Sequence, residues 1–236
     1  MGYVRFSDPD GNRRSGEMTD GSITADGETF DSDAVEFLSP AKPTKIVCAA
    51  SNYRGGFNDP SEYPDEPILF VKTPNSLSGH RRTVTLPAAE DVFFEGELAV
   101  VIGERCRNID TSDAMSVVEG YTCANDLSDR TVENMVRRKA FDGAAPLGPA
   151  VVSPENVSSE STIETRINGE TFQSSTLSEL VFSVPELIAD ISQFQTLEPG
   201  DVILTGSPPG MAPLSDGDEF EVEIEGVGTL THDVSL

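Results

Sequence analysis

Apolar residues along the chain fall in short runs or in strict alternation, and few stretches repeat at helical spacing. Ile46–Ala50, Ile68–Lys72, Val84–Leu86 and Val202–Thr205 read as short strands, and Phe93–Ile102 as a longer one. Phe220–Ile224 and Thr229–Val234 alternate as half-buried strands do. Two segments predict helices. Ser183-Val184-Pro185-Glu186 is a capping box with proline in the first turn. Val184, Leu187, Ile188, Ile191 and Phe194 follow it at helical spacing, and Leu197-Glu198-Pro199-Gly200 supplies a stop. The second predicted helix spans roughly 110–120, with Ala114, Val117 and Val118 inward. Residues 1–40 are short strand-like pieces broken by Asp10-Gly11, Asp20-Gly21 and Asp26-Gly27, and predict a small N-terminal β appendage. Ser39-Pro40-Ala41-Lys42-Pro43 marks the boundary with a main domain over 41–236. Many strands and few helices predict a β-rich α+β fold, not a doubly wound sheet.

Charge narrows the functional classes. The 236 residues carry 16 basic and 41 acidic side chains, a net charge of −25. Such a field repels nucleic-acid phosphates and anionic membrane surfaces, so neither is an expected partner. With 37% apolar residues the chain is not a disordered acidic tail. Lysine is scarce, with only Lys42, Lys45, Lys72 and Lys139 against twelve arginines. An acid-coated, lysine-poor globular protein suits a salt-loving cytosol, where molar salt screens repulsion beyond about 3 Å. Met1–Asp10 is polar and no apolar run nears membrane-spanning length, so a cytoplasmic location is expected. Cys48, Cys106 and Cys123 form no CxxC pair, and Cys48 sits in an apolar run as a small hydrophobe. His80 and His232 lie in polar, turn-flanked stretches, which argues against a Cys–His nucleophile.

Glu95 and Glu97 share one side of a strand that continues as Leu98–Ile102. Two unpaired charges on a buried face are costly, and a hard cation such as Mg²⁺, Mn²⁺ or Ca²⁺ would offset them. The alternative is an edge strand with both glutamates solvated. Asp126, after Ala124-Asn125, offers a third carboxylate. Lys139 stands out by its rarity, beside a turn rich in Phe, Gly and Pro. It could bind an anionic substrate, shuttle a proton, or merely offset local acid. The loop Thr205-Gly206-Ser207-Pro208-Pro209-Gly210 offers N–H groups and a hydroxyl of the kind that hold carboxylates, although simple turns look the same.

Taken in order, these pieces resemble the C-terminal catalytic domain of the fumarylacetoacetate hydrolase family over about residues 44–236. The matching motifs are Asn52-Tyr53-Arg54, Glu66–Lys72, Glu95–Gly103, Gly120–Asp126, Lys139-Ala140-Phe141-Asp142, Pro146–Pro149, Asn168-Gly169-Glu170 and Leu197–Gly206. The resemblance implies a mixed β-roll around a metal site, usually in a homodimer. It places the metal ligands at Glu95, Glu97 and Asp126, with Mg²⁺ or Mn²⁺ as the usual ion. It makes Lys139 the family lysine and Gly206-Ser207 part of the substrate loop, with Tyr53, Arg54 and Glu133 as further substrate-binding positions. The implied substrates are small 2-oxo carboxylates or 1,3-dicarbonyls, handled through enolate chemistry with the metal as Lewis acid.

Two departures from the family pattern stand out. A His–Glu pair on the lid usually activates water, and those positions hold Gly56 and Asp59 here. Gly56 cannot act as a base, which leaves Asp59 as the catalytic candidate of the lid. Glu133 replaces a common glutamine downstream of Arg130. The leading expectation is metal-dependent hydrolysis of an acylpyruvate-type C–C bond. An isomerase or tautomerase, decarboxylase or sugar-acid dehydratase with the same metal chemistry fits the missing histidine better. A catalytically silent metal-binding dimer is the third reading.

Overall fold

The alternating segments pair into two large sheets and one two-stranded sheet, and their register decides where chemistry can gather. The computed structural model describes residues 1–87 and 91–236. The larger sheet has twelve strands. Its order is Glu28–Asp31, Ser22–Ala25, Arg13–Thr19, Gly2–Ser7, Ala145–Val152, Val118–Asn125, Gly96–Ile102, Val202–Leu204, Ile46–Ala50 and Ile68–Lys72. Glu36–Leu38 adds beside Gly2–Ser7, and Leu77–Ser78 beside Ala145–Val152. The five-stranded sheet runs Glu170–Thr176, Thr162–Ile167, Glu219–Ile224, Gly228–Ser235 and Thr83–Thr85. The fold is β-rich α+β, as the pattern predicts.

Two of the three Asp-Gly steps make tight hairpins. Asp20 and Gly21 have φ of 48° and 79°, and Asp26 and Gly27 have 51° and 81°. Both central residues of a type I′ turn need this left-handed region. The resulting meander closes a small core of Val4, Phe6, Ile23, Ala25, Phe37 and Ala150. It joins the main sheet where Tyr3 pairs with Val151.

Strand Gly96–Ile102 is buried along its whole length. Leu98, Val100 and Ile102 enter the main core between the two sheets. Ala99 and Val101 face the other side with Ile46, Cys48, Ala124 and Leu204. Glu97 shares that second face by the two-residue period.

The helix Val184–Phe194 forms with its capping box closed, and Ser183 N–H donates to Glu186 Oε2 at 2.7 Å. Val184, Leu187, Ile188 and Ile191 are buried, but Phe194 is 57% exposed. The helix stops before the expected 197–200 signal because Leu197 turns inward and exchanges hydrogen bonds with Cys106. The expected helix over 110–120 is absent. Only a 3₁₀ turn forms, Ala114–Val117, and the chain extends from Val118 as a strand. The β-branched Val117-Val118 pair favours that extension. Phe93–Ile102 is also interrupted: Val92–Phe93 pairs with Ser128–Asp129, and the main strand restarts at Gly96. Among the described residues no helix is long and apolar enough to cross a membrane.

Candidate active site

Gly96 pairs with Asn125 and Glu97 with Ala124. Asp126 N–H then donates to Glu95 O at 2.8 Å, so Asp126 emerges opposite Glu95. Oxygens of Glu95, Glu97 and Asp126 come within 4.8 Å of one another. Glu97 and Asp126 are buried, and Glu95 partly so. Glu97 Oε2 accepts the Gly206 N–H at 2.6 Å. Only glycine suits that loop position: its φ is +97°, and a Cβ would lie 2.9 Å from the Asn52 Cβ. Asn52 Nδ2 in turn donates to Thr205 O at 2.8 Å and fixes the loop. Gly206 therefore supports a carboxylate of the site, while Ser207 lines the cleft above it.

Two of the four lysines meet this cluster. Lys139, at the end of the short helix Met135–Lys139, donates to Glu95 Oε1 at 2.9 Å and Asp126 Oδ2 at 2.6 Å. Lys72 is wholly buried and donates to Leu127 O at 2.9 Å and Ala144 O at 2.7 Å. Its Nζ also lies 2.7 Å from Asp126 Oδ1. That contact has ion-pair distance but not hydrogen-bond alignment, and Oδ1 is left without a hydrogen bond.

Burial alone would push all these groups toward neutrality. It raises Glu97 well above the usual carboxylate range, and Asp126 and Glu95 add to the effect. For Asp126 the two lysines outweigh burial and hold it low. For Lys139 the neighbouring carboxylates outweigh burial and raise it, so it stays a cation. That favours the charge-holding role for Lys139 over proton shuttling. Crowded oxygens, a Glu97 that burial pushes well above the usual carboxylate range and an Asp126 oxygen without a hydrogen bond fit a hard divalent cation, which takes oxygen ligands.

The three carboxylates form the floor of a cleft of about 580 Å³, a usual size for a small-molecule site. Phe57, Ile68, Phe70, Met135, Pro209 and Met211 give it apolar walls, while Arg130, Arg138 and Lys139 contribute its cations. Tyr53 lines it too; its hydroxyl is buried without a hydrogen-bond partner, and burial followed by Glu97 raises its pKa. Gly56 is at the wall, and a Cβ there would meet nothing within 4 Å.

Three expected residues are not in this cleft. Asp59 is exposed and caps the turn Pro60–Glu62 by accepting the Ser61 N–H at 2.8 Å. Its carboxylate is used locally, away from the carboxylate floor. Arg54 lines a separate cavity beside the helix Val184–Phe194 and donates to Ser178 O. Glu133 is exposed and does not line the cleft.

Residues 45–235 match the family model described as fumarylacetoacetate (FAA) hydrolase, C-terminal. The chain belongs to this family. The match begins after the N-terminal meander. A mitochondrial oxaloacetate tautomerase of Homo sapiens is 40% identical over 220 residues, covering 85% of this chain and 69% of the relative. A 5-carboxymethyl-2-hydroxymuconate delta-isomerase from Mycobacterium smegmatis superposes with a TM-score of 0.90 at 32% identity, over 100% of this chain and 98% of that one. A maleylpyruvate hydrolase from Sphingobium sp. SYK-6, solved with manganese(II) and pyruvate, gives 0.88 at 28% identity, over 100% and 99%. Fumarylacetoacetate hydrolase relatives are thus enzymes that isomerise, tautomerise or hydrolyse.

Around this family core stand supports that sequence reasoning did not single out. Ser128 Oγ donates to Glu95 Oε1 at 3.0 Å. Gln173, from the other sheet, accepts the Gly96 N–H at 3.0 Å and donates to Ser207 Oγ at 3.2 Å. Asn125 Oδ1 accepts the Glu95 N–H at 3.0 Å, and its Nδ2 lies 2.9 Å from His232 Nε2. His232 is buried and stacked on Phe220. Burial lowers its pKa to about 4, so the ring is neutral and Nε2 accepts from Asn125. The turn-flanked reading of His232 misjudged its setting: it faces inward from strand Gly228–Ser235.

Proposed function

We propose that the protein interconverts keto and enol, or double-bond, isomers of a small 2-oxo acid, with a divalent cation, Mg²⁺ or Mn²⁺, held by Glu95, Glu97 and Asp126. The observation that carries this reading is three convergent carboxylates, two of them paired with buried or nearly buried lysines, on the floor of an apolar-walled cleft. The relative solved with manganese(II) and pyruvate supports both the ion and the substrate class. When bound, the cation supplies a Lewis acid for the 2-oxo oxygen. Lys139 keeps its charge and orients Glu95 and Asp126. Tyr53 offers an unbonded hydroxyl to a substrate oxygen. The apolar walls limit water around the reacting carbons. Tautomerisation gives up one proton from C3 to solvent and takes one up at the C2 oxygen, or the reverse, with no net gain or loss of atoms.

Hydrolysis needs one more part, a base that activates water. Position 56 has no side chain, and Asp59 is outside the cleft capping a turn. That favours isomerisation over the C–C cleavage expected first from the sequence. Proton exchange at C3 of pyruvate and oxaloacetate, followed by NMR in D₂O, tests the reading. The expected result is exchange that requires Mg²⁺ or Mn²⁺, without cleavage of an acylpyruvate. Cleavage as fast as exchange would favour the hydrolase; no exchange with either ion would overturn the proposal.

A homodimer in a salty cytosol belongs to the same reading. Ile68, Val71, Met135 and Val136 are 51%, 47%, 48% and 69% exposed and leave apolar surface near the cleft mouth. Light scattering should give the mass of two chains, and a monomer in molar KCl would refute the assembly.

A further inference from the structure

We propose that Gln173 is a positioning residue, which holds the Ser207 hydroxyl as a hydrogen-bond donor to a substrate oxygen and ties it to the strand that carries Glu97. This rests on the preceding reading of the cleft as a 2-oxo acid site. Gln173 belongs to Glu170–Thr176, the edge strand of the five-stranded sheet, and is wholly buried. It does not line the cleft, whereas Ser207 does. The two large sheets touch between the glutamates. Gly96 separates Glu95 from Glu97, and a Cβ on it would lie 2.1 Å from Thr165 Oγ1 and 3.0 Å from Val222 Cγ2. Thr165 pairs with Gln173 across the five-stranded sheet, so the amide arrives at the same place.

There Oε1 accepts the Gly96 N–H at 3.0 Å, and Nε2 donates to Ser207 Oγ at 3.2 Å and to Pro208 O. These partners fix which way the amide points, because the Gly96 N–H can only donate and Pro208 O can only accept. A hydroxyl oxygen that already accepts an N–H cannot turn its own proton to the same group. The Ser207 proton is left with Pro208 O, 3.3 Å away and weakly held, or with a ligand in the cleft. Gln173 thus biases Ser207 toward donating, without bringing a charge into the site. It also fixes the far end of a loop whose start is held by Asn52 through Thr205 O. Between these anchors the Gly206 N–H supports Glu97. One buried amide therefore sets the spacing between the carboxylate strand and the hydroxyl that would meet the substrate.

The test is a double-mutant cycle on the Mg²⁺-loaded full chain with pyruvate. C3 exchange gives kcat/KM, and calorimetry gives affinity whether or not turnover occurs. Gln173→Glu keeps an acceptor for Gly96 and loses the amide N–H groups. Gln173→Glu and Ser207→Ala should each lower kcat/KM about tenfold. Ser207→Thr, which keeps the hydroxyl, should recover most of the wild-type value. The loss from Gln173→Glu should shrink to under about twofold once position 207 is alanine, because the two residues act as one unit. Losses that multiply in the double variant would show general loosening and overturn the proposal, as would a Gln173→Glu variant as active as the wild type. A second readout needs no change at 173: the Gln173 side-chain N–H resonances should shift when saturating pyruvate is added to the wild type and stay in place in Ser207→Ala. An equal shift in both, even where Gln173→Glu fails to fold, would sink the idea. Pyruvate binding without exchange removes the proposed reaction alone, and the calorimetric cycle then decides Gln173; no pyruvate binding to the wild type overturns both.

Discussion

Arg166 on the five-stranded sheet holds Glu164, Glu221 and Glu223, while Lys72 and Lys139 on the cleft floor hold Glu95 and Asp126 beside Glu97. Both groups gather three carboxylates around cations on paired strands. They differ in water. The Arg166 cluster has side chains 26–50% exposed, so solvent and counterions share its charge. In the cleft, Lys72 is fully buried and Asp126 nearly so. There no solvent absorbs the imbalance, and the carboxylates split: Glu97 is driven up by burial, while Asp126 is held low by its two lysines. Similar chemistry on the surface is ornament to the charge coat. Beneath the sheet face it becomes a place that can hold a proton or a cation.

The largest break in this contrast is expected from Lys72→Met. It strips Asp126 of a partner and orphans two carbonyls, and should cost about 3–5 kcal/mol in chemical unfolding. A loss below about 1 kcal/mol would mean that the floor behaves like the surface. Next comes acid. Burial lowers His232 to about 4 in the folded protein, against about 6.5 when unfolded. The unfolded chain therefore binds the extra proton between these values. Stability is full above pH 6.5 and declines by about 3 kcal/mol as pH falls through 4. His80 is lowered to about 4 by burial in the same way, so unfolding followed from pH 7 to 4 should show the slope of both rings, and a His232→Phe variant should lose only the share of His232. Glu97→Gln should then weaken Mg²⁺ binding about 100-fold, roughly 2.7 kcal/mol, by calorimetry. The metal-free variant should melt no lower than wild type, because the change removes a carboxyl group that burial and its acidic neighbours disfavour as an anion and keeps an acceptor for Gly206. Smallest is Arg166→Met, expected to cost under about 1 kcal/mol at low salt and less in molar KCl. The Lys72→Met loss should persist in that salt.

The strand that follows Glu95 and Glu97 was legible because burial on both faces leaves a continuous apolar run, Leu98–Ile102. The capping box at Ser183 was legible because its partners are three residues apart. The partners of the site were not, because they arrive from distant segments. Lys72 reads as the polar end of an apolar run, and only pairing of Ile46 with Lys72 and burial under Asp126 reveals it. The scarcity that drew attention to Lys139 applied equally to Lys72 and was the available signal. His232 and Gln173 look like ordinary polar positions in alternating strands, yet both point inward. Asp59 shows the opposite failure. Its lid position suggested chemistry, but the following Pro60-Ser61 makes a turn that takes the carboxylate as its cap.

Gly56 lines the cleft, yet its backbone does not demand glycine, and an added side chain would meet open space. The scaffold therefore imposes no steric barrier at this position. A lineage could gain or lose a basic side chain there without rebuilding the core. In evolutionary terms, hydrolase and isomerase on this fold can be near neighbours in sequence space, and Gly56→His is the natural first step for converting one into the other in the laboratory.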